Sequence, residues 1–233
     1  QFLTLGIEKH KEEIAELVSV LLEPRGIFER SDVDVREKEG LPSRVGVLRG
    51  EEPPARVEIC ENNFRFLVDV KRGHKTGFYL DQRVNRARVA QFFPPSPSGR
   101  GTEGEVGEIL NACSYTGAFA VYVAAQNKNA RVVNLDASRD ALELARENMR
   151  LNGVEAQGEF VEGDVFQVLR HHRDAGKFFD AIILDPPKFA QSAAQLQAGA
   201  RGYKDINLLA FKLLKPGGTL VTFSCSGQVS AEL

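Results

Sequence analysis

The chain has little cysteine, no long apolar run and no surplus of positive charge, and each shortage removes a class of protein. Its three cysteines, Cys60, Cys113 and Cys225, are too few and too scattered for a disulfide framework or a zinc site. No apolar stretch approaches the roughly 20 residues that a membrane-spanning helix needs. The residues from Gln1-Phe2 onward show no basic-then-apolar secretory pattern, so a reducing cytoplasm is the expected setting. A formal net charge of −2 leaves no global basic signature of nucleic-acid binding. The Gly-x-x-x-x-Gly-Lys-Ser/Thr pattern is missing too, which argues against a P-loop. What remains is an ordinary globular composition, 42% hydrophobic and 27% charged. At 233 residues the chain is long enough for one large domain, or for a domain with a small appendage.

Ile7, Ile14, Leu17, Val18, Leu21 and Leu22 recur at helical spacing, and Pro24 with Gly26 stops that helix. Short strands are expected at Val33–Val35, Val45–Leu48 and Val57–Ile59. Asn62-Asn63 then reads as a turn before the alternating segment Phe64–Val70. Between Arg65 and Arg88, seven basic residues face only Asp69 and Asp81, a patch that suits a phosphate backbone or a solvated face. Arg83–Phe93 reads as a helix. Residues 1–93 thus form a small helix plus β-rich domain, and the Pro/Ser/Gly-rich stretch 94–105 a flexible linker. Residues 106–233 alternate strand and helix. Strands are expected at Gly107–Asn111, Arg131–Leu135, Glu159–Glu162, Asp180–Leu184 and Thr219–Phe223. Helices are expected at Ala118–Gln126, Arg139–Asn152, Val165–Ala175 and Tyr203–Leu214. Such alternation predicts an α/β, Rossmann-like, doubly wound parallel sheet.

In such a sheet, ligands collect outside the carboxyl ends of the strands. The first strand runs into Asn111-Ala112-Cys113-Ser114-Tyr115-Thr116-Gly117, a small-residue turn whose N–H groups can approach a ligand closely. The turn lacks the Gly-x-Gly-x-x-Gly pattern of nicotinamide sites. Asp136 ends the second strand, about 20 positions on, where a ribose hydroxyl pair would be held. Asp164 follows the third and can accept from an adenine amino group. Taken singly, Asp136 is also a helix-start residue and Asp164 also an N-cap. The fourth strand ends in Asp185-Pro186-Pro187-Lys188-Phe189, and the fifth in Phe223-Ser224-Cys225-Ser226-Gly227. A thiol delivered there suggests covalent chemistry, against the commoner fate of cysteine as a small buried apolar residue.

Four blocks carry a family resemblance: Asn111–Gly117, Asp185–Phe189, Arg201-Gly202-Tyr203-Lys204-Asp205-Ile206-Asn207, and Phe223–Gly227. Together they resemble the bacterial 23S ribosomal RNA 5-methylcytosine methyltransferases of the large-subunit methyltransferase I type. Gly73–Arg83 is similar to the block that precedes that family's core. The resemblance implies a class I fold that binds S-adenosylmethionine. It implies Asn111, Ser114, Tyr115, Thr116 and Gly117 along the methionine part, Asp136, Ala137 and Ser138 at the ribose, and Asp164 and Val165 at the adenine. Asp185 and Pro186 would lie near the sulfonium and target base, with Lys75, Tyr79 and Gln82 closing over the cofactor. Family members begin with an RNA-binding PUA domain and continue through two more core strands. The chain is therefore expected to be a fragment, its sheet truncated after the fifth strand.

The chemistry implied is methylation of a cytosine C5 in 23S ribosomal RNA. Cys225 is the nucleophile and Asp185 orients or protonates the pyrimidine. Lys188, Phe189, Arg201, Tyr203 and Lys204 are the candidate contacts to RNA, although each cation is equally a solvated surface charge. Asp185-Pro186-Pro187 is also readable as a plain strand-terminating turn. Two other functions stay open: methylation of a base nitrogen, which needs no thiol, and a catalytically silent RNA-binding module. No metal and no membrane partner is expected. Pairing of two copies through the exposed β segments of the N-terminal unit is left open.

Overall fold

The computed structural model describes residues 1–74, 76–93, 107–190 and 195–225. The expected linker at 94–105 lies outside them. The chain divides into two compact units, Gln1–Ile59 with Leu67–Tyr79, and Cys60–Phe66 with Leu80–Leu233.

The first unit opens with α1 (Leu5–Glu8), α2 (Lys11–Leu22), β1 (Gly26–Ser31), α3 (Val35–Lys38) and β2 (Arg44–Gly50). Helix α2 ends where Glu23 takes a left-handed φ of 44° and returns its N–H to the Ser19 carbonyl; Pro24 cannot continue the helix. Strands β1 and β2 pair antiparallel. The unit's interior is held by charge. Lys11 Nζ lies 3.0 Å from Glu8 and 2.9 Å from Glu29. Arg36, 1% exposed, donates to Glu8 and to the carbonyls of Phe2 and Pro42. The Arg36 hydrogen bond holds the Glu8 carboxyl below its usual range. This anchorage corrects the strand expected at Val33–Val35. The segment is a bend leading into α3, because burying the Arg36 guanidinium outweighs the β-propensity of two valines that stay exposed.

Strands β3 (Val57–Glu61) and β4 (Phe64–Val68) form a hairpin whose turn places Asn62 at φ 49° and Asn63 at φ 71°. Two left-handed residues match the right-handed twist of the strands, which is why an Asn-Asn pair serves here. The base of the hairpin belongs to the first unit and its tip, Cys60–Phe66, to the second.

In the second unit a single 3₁₀ turn (Leu80–Gln82) leads into α4 (Arg83–Gln91). After it come β5 (Gly107–Ala112), α5 (Ala118–Gln126), β6 (Ala130–Asp136), α6 (Arg139–Leu151) and β7 (Gly158–Glu162). Then follow α7 (Val165–Asp174), β8 (Phe179–Leu184), α8 (Leu196–Leu213) and β9 (Leu214–Thr222). The five strands form one parallel sheet in the order β7-β6-β5-β8-β9. The doubly wound fold is as the sequence predicts. Leu110, Val133, Leu135, Ile182 and Leu184 are fully buried in its core with Leu169, Ile206 and Leu213 from the covering helices. Burial of each such side chain contributes roughly 1.5–3 kcal/mol. Ala112 lies beside Leu135 and Leu184, and Leu184 beside Thr222, so four strands finish level. The chain winds outward in one direction from β5 and returns to β8 on its other side, and a crevice opens between them.

Helix α8 begins seven residues before the expected Tyr203, and β9 begins at Leu214 rather than Thr219. Gly199 and Gly202 make the first half of α8 look broken in the sequence. They are there for packing: a Cβ on Gly199 would stand 2.7 Å from the Ala190 Cβ, and one on Gly202 would stand 3.2 Å from the Phe189 ring.

The hairpin tip is locked to α4 and α5. Arg86 donates to both Glu61 oxygens at 2.8 and 2.7 Å, and the Tyr122 hydroxyl donates to Glu61 at 2.9 Å. The Phe64 and Phe66 rings lie 4.5 and 6.3 Å from the Tyr122 ring. Asn152 accepts from the Arg65 N–H and donates to its carbonyl, satisfying backbone groups beside the tip.

Candidate active site

The turn that follows β5 is built on strain. Cys113, Tyr115 and Gly117, every second residue, have φ of 57°, 46° and 72°. Gly117 N–H donates back to the Ser114 carbonyl at 2.9 Å, so the turn closes tightly on itself. Holding Cys113 and Tyr115 in the left-handed region costs roughly 1–3 kcal/mol each. The compensation comes from the next strand: Ser114 N–H donates to the Leu135 carbonyl at 3.0 Å and Tyr115 N–H to Asp136 Oδ2 at 2.8 Å. Gly117 has no substitute, since a Cβ there would lie 2.8 Å from the Ala145 Cβ. Ser114 and Thr116 are buried, and Ser114 Oγ has no hydrogen-bond partner. The neighbouring Asn111 side chain donates to Asn134 but leaves its own Oδ1 unpaired.

Asp136 ties two turns together. Its Oδ1 accepts from Ser138 N–H at 2.9 Å while Oδ2 accepts from Tyr115, and each oxygen keeps a lone pair. Ser138 caps α6 by accepting from Ala141 N–H, and Ala137 beside it is exposed. Asp164 caps α7 through Gln167 N–H at 2.9 Å, with Val165 buried behind it. Both bland readings of these carboxylates are therefore real, and both leave acceptor capacity over. Burial first, then the charges of Asp136, Asp185 and Asp164, push the Cys113 thiol up to about 12. Three carboxylates from three strand ends thus converge around one neutral thiol.

Asp185 follows β8, its N–H donating to the Ala112 carbonyl at 3.3 Å. Burial, reinforced by the charge of Asp81 and opposed by that of Arg86, pushes its carboxyl up to about 6. Gln82 Nε2 donates to both Asp185 oxygens at 3.3 Å. Gln82, expected at the cofactor with Asp185, lies against that carboxyl. Asn85 escapes the sequence reading because helix α4 carries no motif, and Arg86, one of the seven cations of the expected basic patch, is neither solvated nor open to phosphate but buried against Glu61. Cys225 is exposed beyond β9, its Sγ 4.0 Å from the Pro186 carbonyl. Phe223 N–H donates to the Leu184 carbonyl, and its ring stacks on Phe119 at 5.3 Å. Asp185 and Cys225 thus follow adjacent strands, β8 and β9.

Of the expected substrate residues, Lys188, Arg201 and Lys204 are exposed. Tyr203 is buried, 4.7 Å from the Phe189 ring, and the Phe166 ring lies 5.9 Å from that of Phe189. Tyr79 belongs to the first unit, where His74 Nδ1 lies 2.6 Å from its hydroxyl. Lys75 and the residues after Cys225 lie outside the described residues. Among the described residues no group of three His, Cys, Asp or Glu could hold a metal, and no helix is long and apolar enough to cross a membrane.

A parallel doubly wound sheet with a strained turn after its first strand and carboxylates at successive strand ends defines a nucleoside-binding α/β domain. Residues 36–231 match the S-adenosylmethionine-dependent methyltransferase family, and the chain belongs to it. It is 48% identical over its whole length to the ribosomal RNA large subunit methyltransferase I of Aeromonas salmonicida, and it spans 56% of that relative. A Streptococcus mutans structure assigned provisionally as a SAM-dependent methyltransferase has TM-score 0.75 at 23% identity, over 97% of this chain and 54% of its own. The tRNA m1G37 methyltransferase of M. jannaschii has TM-score 0.62 at 22% identity, over 91% of this chain and 52% of its own. These two likenesses bear on the fold.

The residues present fit S-adenosylmethionine. The buried Ser114 Oγ and Asn111 Oδ1, both without a hydrogen-bond partner, leave polar capacity at this turn that suits an amino-acid head.

Proposed function

We propose that this chain carries the catalytic end of an enzyme that methylates C5 of a cytosine in 23S ribosomal RNA. One observation carries the reading: Cys225 and Asp185 leave neighbouring strands together, with Sγ 4.0 Å from the Pro186 carbonyl. Cytosine C5 is a poor nucleophile. Addition of the Cys225 thiolate to C6 forms an S–C6 bond and moves the 5,6 electron pair toward C5, splitting one difficult step into easier ones. Asp185, a carboxyl that holds its proton to about pH 6, orients the pyrimidine and can share that proton with the ring. Bound S-adenosylmethionine supplies an electrophilic methyl group. Loss of the C5 proton then expels the thiolate and restores the double bond.

Around this centre the turn from Asn111 to Gly117 holds the methionine head, Asp136 the ribose hydroxyls and Asp164 the adenine amino group. Lys188, Arg201 and Lys204 meet RNA phosphate. The Phe189 and Tyr203 rings support that surface from within.

A second reading is methylation of a base nitrogen, for which the Asp185-Pro186-Pro187 turn would also serve and no thiol is needed. The test uses the whole protein, wild type and Cys225→Ala, with labelled S-adenosylmethionine and unmodified 23S RNA, followed by nucleoside analysis. Label in 5-methylcytosine that vanishes in the variant is the expected result. Label on another nucleoside, or retained in the variant, overturns the covalent reading. RNA binding without S-adenosylmethionine binding would make the domain a silent RNA module.

A further inference from the structure

Asn85 sits in the first turn of α4 and touches no expected substrate or cofactor group other than Gln82, yet its side chain is committed. Asn85 Nδ2 donates to Gln82 Oε1 at 2.6 Å, a shorter link than either that Gln82 makes to Asp185. An amide has one acceptor end and one donor end. With Oε1 taken by Asn85, Nε2 is the end left to face Asp185, and it donates to both carboxylate oxygens at 3.3 Å. Asn85, Gln82 and Asp185 therefore form a one-way chain of donors. Its base is rigid, because the next residue, Arg86, is 3% exposed and clamped to Glu61 and through it to Tyr122.

We propose that Asn85 is a positioning residue: it sets the polarity of the Gln82 amide and so determines whether Asp185 meets a donor or an acceptor beside the reacting base. This rests on the function proposed above and assigns Asp185 a regulator within the fold. A neutral donor stabilises the ionised carboxylate without adding charge. It works against burial and the Asp81 charge, which raise the Asp185 carboxyl, and it works with the Arg86 cation. Reversing the amide would present Oε1 to the carboxyl, an arrangement that only protonated Asp185 can satisfy.

Asn85→Asp performs the reversal with almost no change of shape, since the carboxylate it introduces would accept from Gln82 Nε2 and force Oε1 toward Asp185. The experiment follows the Asp185 side-chain carbon by NMR titration in the whole protein, with Asp185→Asn to assign the signal. Asn85→Asp is expected to raise the Asp185 midpoint by about one pH unit or more, a tenfold change in proton affinity. Asn85→Ala, which frees the amide to rotate, should give a smaller rise. A new charge at position 85 also acts through space, so each change is repeated in a Gln82→Leu background. There the relay predicts that most of the rise is lost. An equal rise with and without the Gln82 amide, or no rise at all, overturns the proposal. The titration reads the relay whatever the enzyme methylates. A relay that behaves as expected in a protein that makes no 5-methylcytosine would count against the reaction and leave the relay standing.

Discussion

At the scale of single residues, the three cysteines separate by environment rather than by identity. Cys113 is hemmed in by burial and three carboxylates, its thiol pushed up to about 12, whereas Cys60 and Cys225 are exposed. Only the thiolate reacts. Iodoacetamide at pH 8 should therefore label Cys60 and Cys225 and spare Cys113 in the native protein, read by peptide mass spectrometry. Comparable labelling of Cys113 would mean that its surroundings are open. Asp185 supports a second prediction. Its folded midpoint, about 6, lies above the value of an unfolded aspartate, so the native state holds the extra proton between about pH 4 and 6. Stability is then lost as pH rises through that window, because ionised Asp185 is disfavoured by its burial. Asp185→Asn removes the dependence. Melts of the two proteins should nearly coincide at pH 4 and diverge by pH 7, with the variant more stable by up to about 3 kcal/mol. Cys225 and Asp185 were legible in the sequence because each ends an apolar strand. Asn85 was not, since a polar residue in the first turn of a helix acquires meaning only when its partner is visible.

At the scale of elements, the turn after β5 depends on a residue without a side chain. Gly117→Ala adds a Cβ at φ 72° and sets it 2.8 Å from the Ala145 Cβ. The expected cost is about 1–3 kcal/mol in urea denaturation. S-adenosylmethionine binding by calorimetry should weaken at the same time, because the turn from Asn111 to Gly117 cannot keep its shape. Unchanged affinity would place the cofactor elsewhere. Parallel strands buried on both faces read as continuous apolar runs, so the order of the sheet's strands along the chain could be read without coordinates. Two elements misled for opposite reasons. Gly199 and Gly202 look like helix breakers and are contact points for Ala190 and Phe189. Val33 and Val35 look like a strand and flank a helix whose Arg36 is the buried member. Both errors come from treating a local preference as decisive where a distant contact decides.

At the scale of the whole molecule, connectivity and compactness disagree. The chain passes from one unit to the other after Ile59, after Phe66 and after Tyr79. The short insert between the first two crossings brings Glu61 to Arg86 and Tyr122 inside the second unit. Burial and the Glu61 carboxylate push the Tyr122 phenol up to about 12, so it stays a donor throughout the physiological range. Arg86→Met would strand the Glu61 charge and is expected to destabilise the protein by about 3–5 kcal/mol in urea. Arg86→Met with Glu61→Leu should recover most of that, since an apolar pair of similar bulk replaces a buried ion pair at little cost. A double variant as weak as the single one would show that the pair supplies more than mutual neutralisation. The crossings also mean that the second unit has no start point along the sequence. A gene cut between codons 79 and 80 would leave the Cys60–Phe66 insert on the other polypeptide, so neither product would be whole alone.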